Sequence, residues 1–130
     1  MPDTDDPILS ALRIGVMRLF ILCLLLALPL PAAAFEAVTS RDAFVSLVAG
    51  KRLTGDGVSL QVQPDGAITG RGFGLRVTGT WRWQDGFFCR TLDTALRDFP
   101  LNCQRVSVQG TTIRFHADRG TGDIADLRIR

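Results

Sequence analysis

The chain carries the three-part pattern of a secretory leader, and this pattern decides how much of it must fold. Met17 and Arg18 precede ten unbroken apolar residues, 19–28, and the small residues 32–34 follow. A positive start, a short apolar run and an A-x-A site are typical of a signal peptide. The run is half the roughly 20 residues that a membrane-spanning helix needs. We therefore expect cleavage after Ala34 and a mature chain of residues 35–130.

The stretch before this leader does not suit it. Residues 1–16 contain three aspartates, whereas a signal peptide begins with positive charge. We predict that translation starts at Met17, that residues 1–34 are an extension plus a cleaved leader, and that residues 35–130 form one exported domain. The expected location is periplasmic or secreted, with only transient membrane contact through the leader.

The charge of the mature chain is low and dispersed. Of the chain's 15 Lys and Arg and 13 Asp and Glu, residues 35–130 hold 13 and 10, a net charge of +3 without a basic cluster. Nucleic-acid-binding domains concentrate basic residues on one face, so we expect no nucleic-acid partner. The length suits one small domain with a single core, which we expect to be monomeric.

The cysteines predict one disulfide. Cys23 leaves with the leader, and Cys89 and Cys103 remain as an even pair in an oxidising compartment. Their bond would close a loop of about 15 residues, which is worth about 3 kcal/mol in the chain-entropy model. With His116 as the single histidine, the chain has too few ligands in zinc-like spacing, so we expect no metal site.

Hydrophobic periodicity predicts one helix followed by strands. Residues 40–50 have an N-cap serine, Ser40, an apolar stripe at Phe44, Leu47 and Val48, and a terminating Gly50. Apolar and polar residues then alternate over 58–63, 75–84, 111–117 and 124–130. A return strand is predicted to start at residues 87–89 after the Asp85-Gly86 turn, and a further strand covers 103–108. Residues 91–102 lack a period and predict a loop, either irregular throughout or with one helical turn. The expected fold class is α+β, mainly β: a short N-terminal helix and six to eight antiparallel strands, forming a meander, a curled sheet or a small barrel, with one disulfide.

Motifs for catalysis are weak. The glycines of residues 70–74 lack the spacing of a dinucleotide loop and precede a strand, so they predict a bent strand in which glycine relieves crowding. His116 has no argued partner for acid–base chemistry. We name no catalytic residue and expect no cofactor.

A candidate ligand or partner face combines aromatic residues with arginines. The aromatic members serve either as core packing or as the lining of a site for an apolar ligand. The arginines, with Arg71 and Arg90 nearby, are expected on the polar side of the sheet. A cavity beside the two tryptophans would favour a ligand, and a filled core would favour a protein partner. The candidate residues are Trp81, Trp83, Phe73, Phe87, Arg76 and Arg82.

The mature domain resembles small exported proteins of alphaproteobacteria. The resemblance rests on the strand with Gly79 and Trp81, the Asp85-Gly86 turn, Cys89 just after it and Cys103 downstream, and it covers most of residues 35–130. These motifs are structural and imply fold and compartment. Some similar chains bear the label dihydrodipicolinate reductase, which implies an NAD(P)H-dependent enzyme.

Two functions of different classes follow. The first is a non-enzymatic periplasmic binding or interaction domain whose partner is an envelope protein, a cell-wall enzyme or an apolar small molecule. The second is the reductase. A reductase of that type binds its cofactor through an N-terminal strand, glycine loop and helix, whereas this chain has a leader there. The residues therefore favour binding over chemistry.

Overall fold

The computed structural model describes residues 28–29 and 33–130. Residues 33–130 form one compact unit. The predicted start at Met17 and nearly all of the predicted leader lie outside the described residues. Within the described part of the chain, no helix has the length and apolar character needed to cross a membrane.

Strands dominate residues 33–130, with one helix near their start. The helices are α1 (Arg41–Val48) and a four-residue helical turn, α2 (Ala117–Gly120). The strands are β1 (Glu36–Val38), β2 (Leu53–Gly55), β3 (Val58–Val62), β4 (Ala67–Gly72), β5 (Leu75–Gln84), β6 (Phe87–Asp93), β7 (Asp98–Gln109), β8 (Thr112–His116) and β9 (Ile124–Ile129).

The strands β2 to β9 close into an eight-stranded antiparallel barrel. Each pairs with the next along the chain, and β9 returns to β2 through Leu53 opposite Ile129 and Thr54 opposite Arg128. The short strand β1 adds to β7 at residues 106–108, beyond the part that β6 covers. The predicted fold class is confirmed, and the barrel is the form it takes. The sequence did not predict β1 or β2, which have three residues each.

Two-residue turns fix the register of three hairpins. The pairs Asp56-Gly57, Phe73-Gly74 and Asp85-Gly86 all have positive φ, between 49° and 82°. This left-handed geometry is that of a type I′ turn, whose twist matches the twist of the strands it joins. The Asp85-Gly86 turn places Trp83 opposite Phe88 and Trp81 opposite Arg90. The side chains at these four positions therefore share one face of the hairpin.

Helix α1 plugs one end of the barrel. Ser40 caps it, its Oγ accepting a hydrogen bond from the Ala43 N–H at 3.2 Å, and the helix ends before Gly50 as expected. Phe44 is fully buried, and its ring centroid lies 5.0–6.4 Å from those of four barrel aromatics: Trp81, Trp83, Phe88 and Phe115. Arg41 fastens the helix to the β3–β4 turn by donating from Nη2 to the Pro64 carbonyl at 2.7 Å. We call this the plugged end.

The loop predicted over residues 91–102 is wrong. Strand β6 continues to Asp93 and β7 begins at Asp98, so only residues 94–97 connect them. The register slips by one residue between Arg90 and Leu92, because Pro100 and Leu101 both lie opposite the single Thr91. This is a β-bulge, a position where the missing N–H of proline is tolerated. The missing period that predicted a loop instead reflects an irregular strand pair.

The glycines of residues 70–74 end strand β4 and form the β4–β5 turn. Gly70 has φ 149°, and a Cβ atom there would collide with the Ser59 carbonyl oxygen on β3. This close approach agrees with the predicted role of glycine in relieving crowding.

The predicted disulfide is also confirmed, since Cys89 and Cys103 are bonded and lie directly opposite each other on β6 and β7.

Candidate functional site

The two tryptophans of the candidate face belong to the plugged end. Trp81 is 6% exposed, donates from Nε1 to the Gln63 carbonyl at 2.7 Å and packs edge-on against Phe44. Trp83 is half-buried and stacks on the same phenylalanine at 5.3 Å. Helix α1 packs Phe44 against both tryptophans, and a shallow pocket of about 260 Å³ remains beside them, between Arg41, Asp65 and Arg82.

The other candidate residues lie in separate places. Phe87 is half-buried on the outer face, 5.2 Å from the Arg119 guanidinium, and Phe73 is 81% exposed in the β4–β5 turn. Arg76 and Arg82 are exposed on the outside of β5. Arg76 lies directly opposite Arg71 and lines a shallow polar groove with it. The six candidate residues therefore do not form one face.

Arg90 does not share the outer face with these arginines, so that expectation is wrong. Its partner across the hairpin is Trp81, an inward-facing residue, whereas Arg82 lies opposite Cys89. The side chain of Arg90 therefore points into the barrel. The sequence contains a signal for this orientation. Counting outward from the two-residue Asp85-Gly86 turn pairs Arg90 with Trp81, which places both side chains on the same face of the hairpin.

The end of the barrel opposite α1 contains a partly open cavity of about 300 Å³. It reaches solvent at the β2–β3 and β4–β5 turns, where the exposed residues Asp56 and Phe73 line it. We call this end the mouth. Phe88 and Phe115 form the floor, since each lines the cavity and also contacts Phe44 from the plugged end. The other apolar residues of the lining are Leu53, Val58, Leu60, Val62, Ile68, Leu92, Ala125 and Leu127.

Three polar side chains interrupt this apolar lining. Arg90 and Gln104 come from the neighbouring strands β6 and β7, and Asp56 comes from the β2–β3 turn. In the closed order of eight strands, β6 and β7 lie across the barrel from β2 and β3. Arg90 and Gln104 therefore make one polar corner, with Asp56 on the far side of the mouth.

The Arg90 guanidinium is held by the β-bulge. Its Nη1 donates to the Pro100 carbonyl at 3.3 Å, and no carboxylate of residues 33–130 lies within 4.0 Å of it. Burial lowers the pKa of Arg90 below its ordinary value because the charged form loses water. A guanidinium has five N–H donors, and the described residues accept a hydrogen bond from one nitrogen of this group.

Gln104 adds an uncommitted amide to this corner. The residue is 8% exposed, and its side chain makes no hydrogen bond to the described part of the chain. No fully enclosed polar side-chain atom in the described residues lacks a partner. The amide of Gln104 therefore reaches the cavity space, where it offers both a donor and an acceptor.

Exposed apolar side chains also occur at this end of the barrel. Phe73 lines the cavity from the β4–β5 turn and is 81% exposed. Leu96 in the β6–β7 loop and Ile124 at the first position of β9 are 81% and 52% exposed and lie outside the lining. Phe73 has φ 51°, a left-handed conformation that is unfavourable for a bulky side chain. An exposed aromatic residue in a strained turn is a candidate for a functional role.

Within the described residues, no group of three or more His, Cys, Asp or Glu side chains is arranged to hold a metal ion. Comparisons with family models, curated proteins and solved structures find no match. The geometry of the cavity therefore carries the functional argument. An apolar chamber with one cation and one amide on its wall is suited to binding a small molecule that is mostly apolar and polar at one point.

Proposed function

We propose that this protein is an exported, non-enzymatic binding domain that holds a small, largely apolar molecule in the barrel cavity. The observation that carries the proposal is the open cavity of about 300 Å³, whose lining is almost wholly apolar. The expected leader and the disulfide support a periplasmic or secreted location.

The cavity suits a compact ligand. Small-molecule sites span about 300–1,000 Å³, so this one lies at the lower end of the range. Its lining is formed by side chains of seven different barrel strands. A chamber held by the barrel wall is preformed, which reduces the ordering cost of binding.

Obstructing the cavity should weaken binding. Ala125 is an exposed residue that lines the cavity and lies opposite Phe115, so an Ala125→Phe substitution places a ring at the opening. We expect the neutral dye N-phenyl-1-naphthylamine to bind the unmodified protein with a rise in fluorescence. Its affinity should fall at least about tenfold, or about 1.4 kcal/mol, in the Ala125→Phe variant.

The control places the same ring outside the barrel. Thr78 is exposed on the outer face of β5, so Thr78→Phe adds aromatic area without entering the cavity. We expect this variant to bind the dye as the unmodified protein does. Absence of dye binding to the unmodified protein, or an equal loss in both variants, would contradict the proposal.

A substitution of Phe73 should lower ligand affinity without lowering the stability of the fold. Asparagine adopts left-handed φ more readily than other non-glycine residues, so Phe73→Asn relieves the turn at φ 51°. We expect dye affinity to fall by roughly threefold to tenfold because an apolar group of the lining is lost, while the midpoint of thermal unfolding stays level or rises. Unchanged affinity would show that Phe73 takes no part in binding.

The exposed apolar side chains at this end of the barrel also favour a second candidate, an envelope protein that docks on the mouth. The apolar side chains of Phe73, Leu96 and Ile124 offer it a contact surface. A partner seated there covers the cavity entrance, so it should slow dye release from the complex. The reductase alternative predicts NADPH binding instead, and a fluorescence titration with NADPH tests it directly.

A further inference from the structure

We infer that the ligand of the barrel cavity is an anionic amphiphile, whose carboxylate or phosphate group binds the Arg90–Gln104 corner while its apolar chain fills the chamber. This inference rests on the proposed function and names its ligand class. It starts from a cation on the wall of a chamber that is otherwise almost wholly apolar.

Arg90 is half-buried and has no anionic partner in residues 33–130. A charge that has lost part of its water is destabilising unless it is paired and hydrogen-bonded. Arg90 has one hydrogen bond, to the carbonyl of Pro100, and no carboxylate within 4.0 Å in residues 33–130. An aliphatic residue there would complete the apolar lining at lower cost. The guanidinium is therefore best explained by a negative group that enters with the ligand.

The geometry of the corner suits a two-oxygen head group. The planar guanidinium matches carboxylate and phosphate oxygens with parallel N–H donors, and such charge-assisted hydrogen bonds are about twice as strong as neutral ones. Gln104 lies two positions along β7 from Asn102, the residue opposite Arg90, and its amide N–H group supplies a further donor. Asp56 stands across the mouth, where it disfavours an anion. The charges therefore direct a negative head group toward β6 and β7.

A matched ligand pair tests the inference on the unmodified protein. Decanoate and 1-decanol share a ten-carbon chain and differ in the charge of the head group, and each is titrated against bound N-phenyl-1-naphthylamine. We expect decanoate to displace the dye at a concentration at least about tenfold lower than 1-decanol. Monodecyl phosphate, run alongside, distinguishes a phosphate head group from a carboxylate, and tighter binding of either anion than of 1-decanol supports the inference.

Variants at Arg90 assign the preference to that residue. Arg90→Met keeps a long apolar side chain and should bring the decanoate and 1-decanol affinities within about twofold of each other. Arg90→Lys keeps the charge and should retain part of the preference. Far-ultraviolet circular dichroism and the thermal midpoint check that both variants fold. If either variant fails to fold, the comparison of decanoate with 1-decanol on the unmodified protein still tests the inference.

The outcomes separate the two proposals. Dye binding with equal affinities for 1-decanol and for both anions, decanoate and monodecyl phosphate, overturns the anionic ligand and leaves the binding function standing. A preference for decanoate that survives in Arg90→Met also overturns the inference, because another group must then hold the anion. Failure of the dye and of every amphiphile to bind overturns both the ligand class and the proposed function.

Discussion

Replacing Phe44 with alanine should lower the free energy of unfolding by about 3–5 kcal/mol, the usual cost of truncating a buried phenylalanine. The ring has no solvent exposure and contacts four aromatic residues of β5, β6 and β8. Its loss removes apolar burial and leaves a void that the rigid barrel wall cannot close. Small domains have only about 5–15 kcal/mol in total, so urea unfolding should show a large drop in the midpoint.

A second substitution on α1 distinguishes the contribution of the Phe44 ring from that of the helix as a whole. Leu47 is half-buried on the same helix, so Leu47→Ala changes the helix by a similar truncation outside the aromatic cluster. We expect a cost of about 1 kcal/mol for this variant, from partial loss of apolar burial. Equal costs for the two variants would mean that α1 contributes as a whole and that Phe44 is not the central contact.

The sequence predicted the helix and strands whose formation depends on residues close together in the chain. Ser40, the stripe at Phe44 and Val48, and Gly50 define a helix within one short window, and the structure has that helix. The alternation of residues 75–84 likewise predicts strand β5 because one face is buried and the other is exposed. Each of these features depends on residues a few positions apart.

Barrel closure depends on residues far apart in the chain. Leu53 pairs with Ile129, and the three residues of β2 contain no sequence pattern that predicts this contact. A short strand gains its stability from two neighbouring strands and so carries little propensity of its own. The sequence left the curled sheet and the barrel as alternatives for this reason.

The candidate site was harder to predict than the fold. The expected face relied on residue type, and it placed Arg90 with the other arginines outside the sheet. Register decides which side a strand residue occupies, and a shift of one position reverses it. The Asp85-Gly86 turn fixes that register, and the bulge at Pro100 then supplies the carbonyl that holds Arg90. The cavity itself is a property of the closed barrel and has no local signal.

The disulfide should be worth about 3 kcal/mol to the domain, because it closes a loop of about 15 residues. Cys89 and Cys103 face each other across the antiparallel strands β6 and β7, and Arg90 and Gln104 flank this pair on opposite sides. The bond therefore holds together the two strands that form the polar corner of the cavity. Cys89→Ala/Cys103→Ala should lower both the free energy of unfolding and, by a few fold, the affinity for decanoate.

Reduction of the unmodified protein is the matched control. Cys89 is 1% exposed, so the alanine variant also loses buried sulfur, whereas the reduced protein keeps both sulfur atoms and lacks only the bond. Urea unfolding of the oxidised and reduced forms isolates the effect of the cross-link. A difference below about 0.5 kcal/mol would show that strand pairing alone holds β6 against β7. A difference near 3 kcal/mol would show that the protein depends on an oxidising environment for much of its stability.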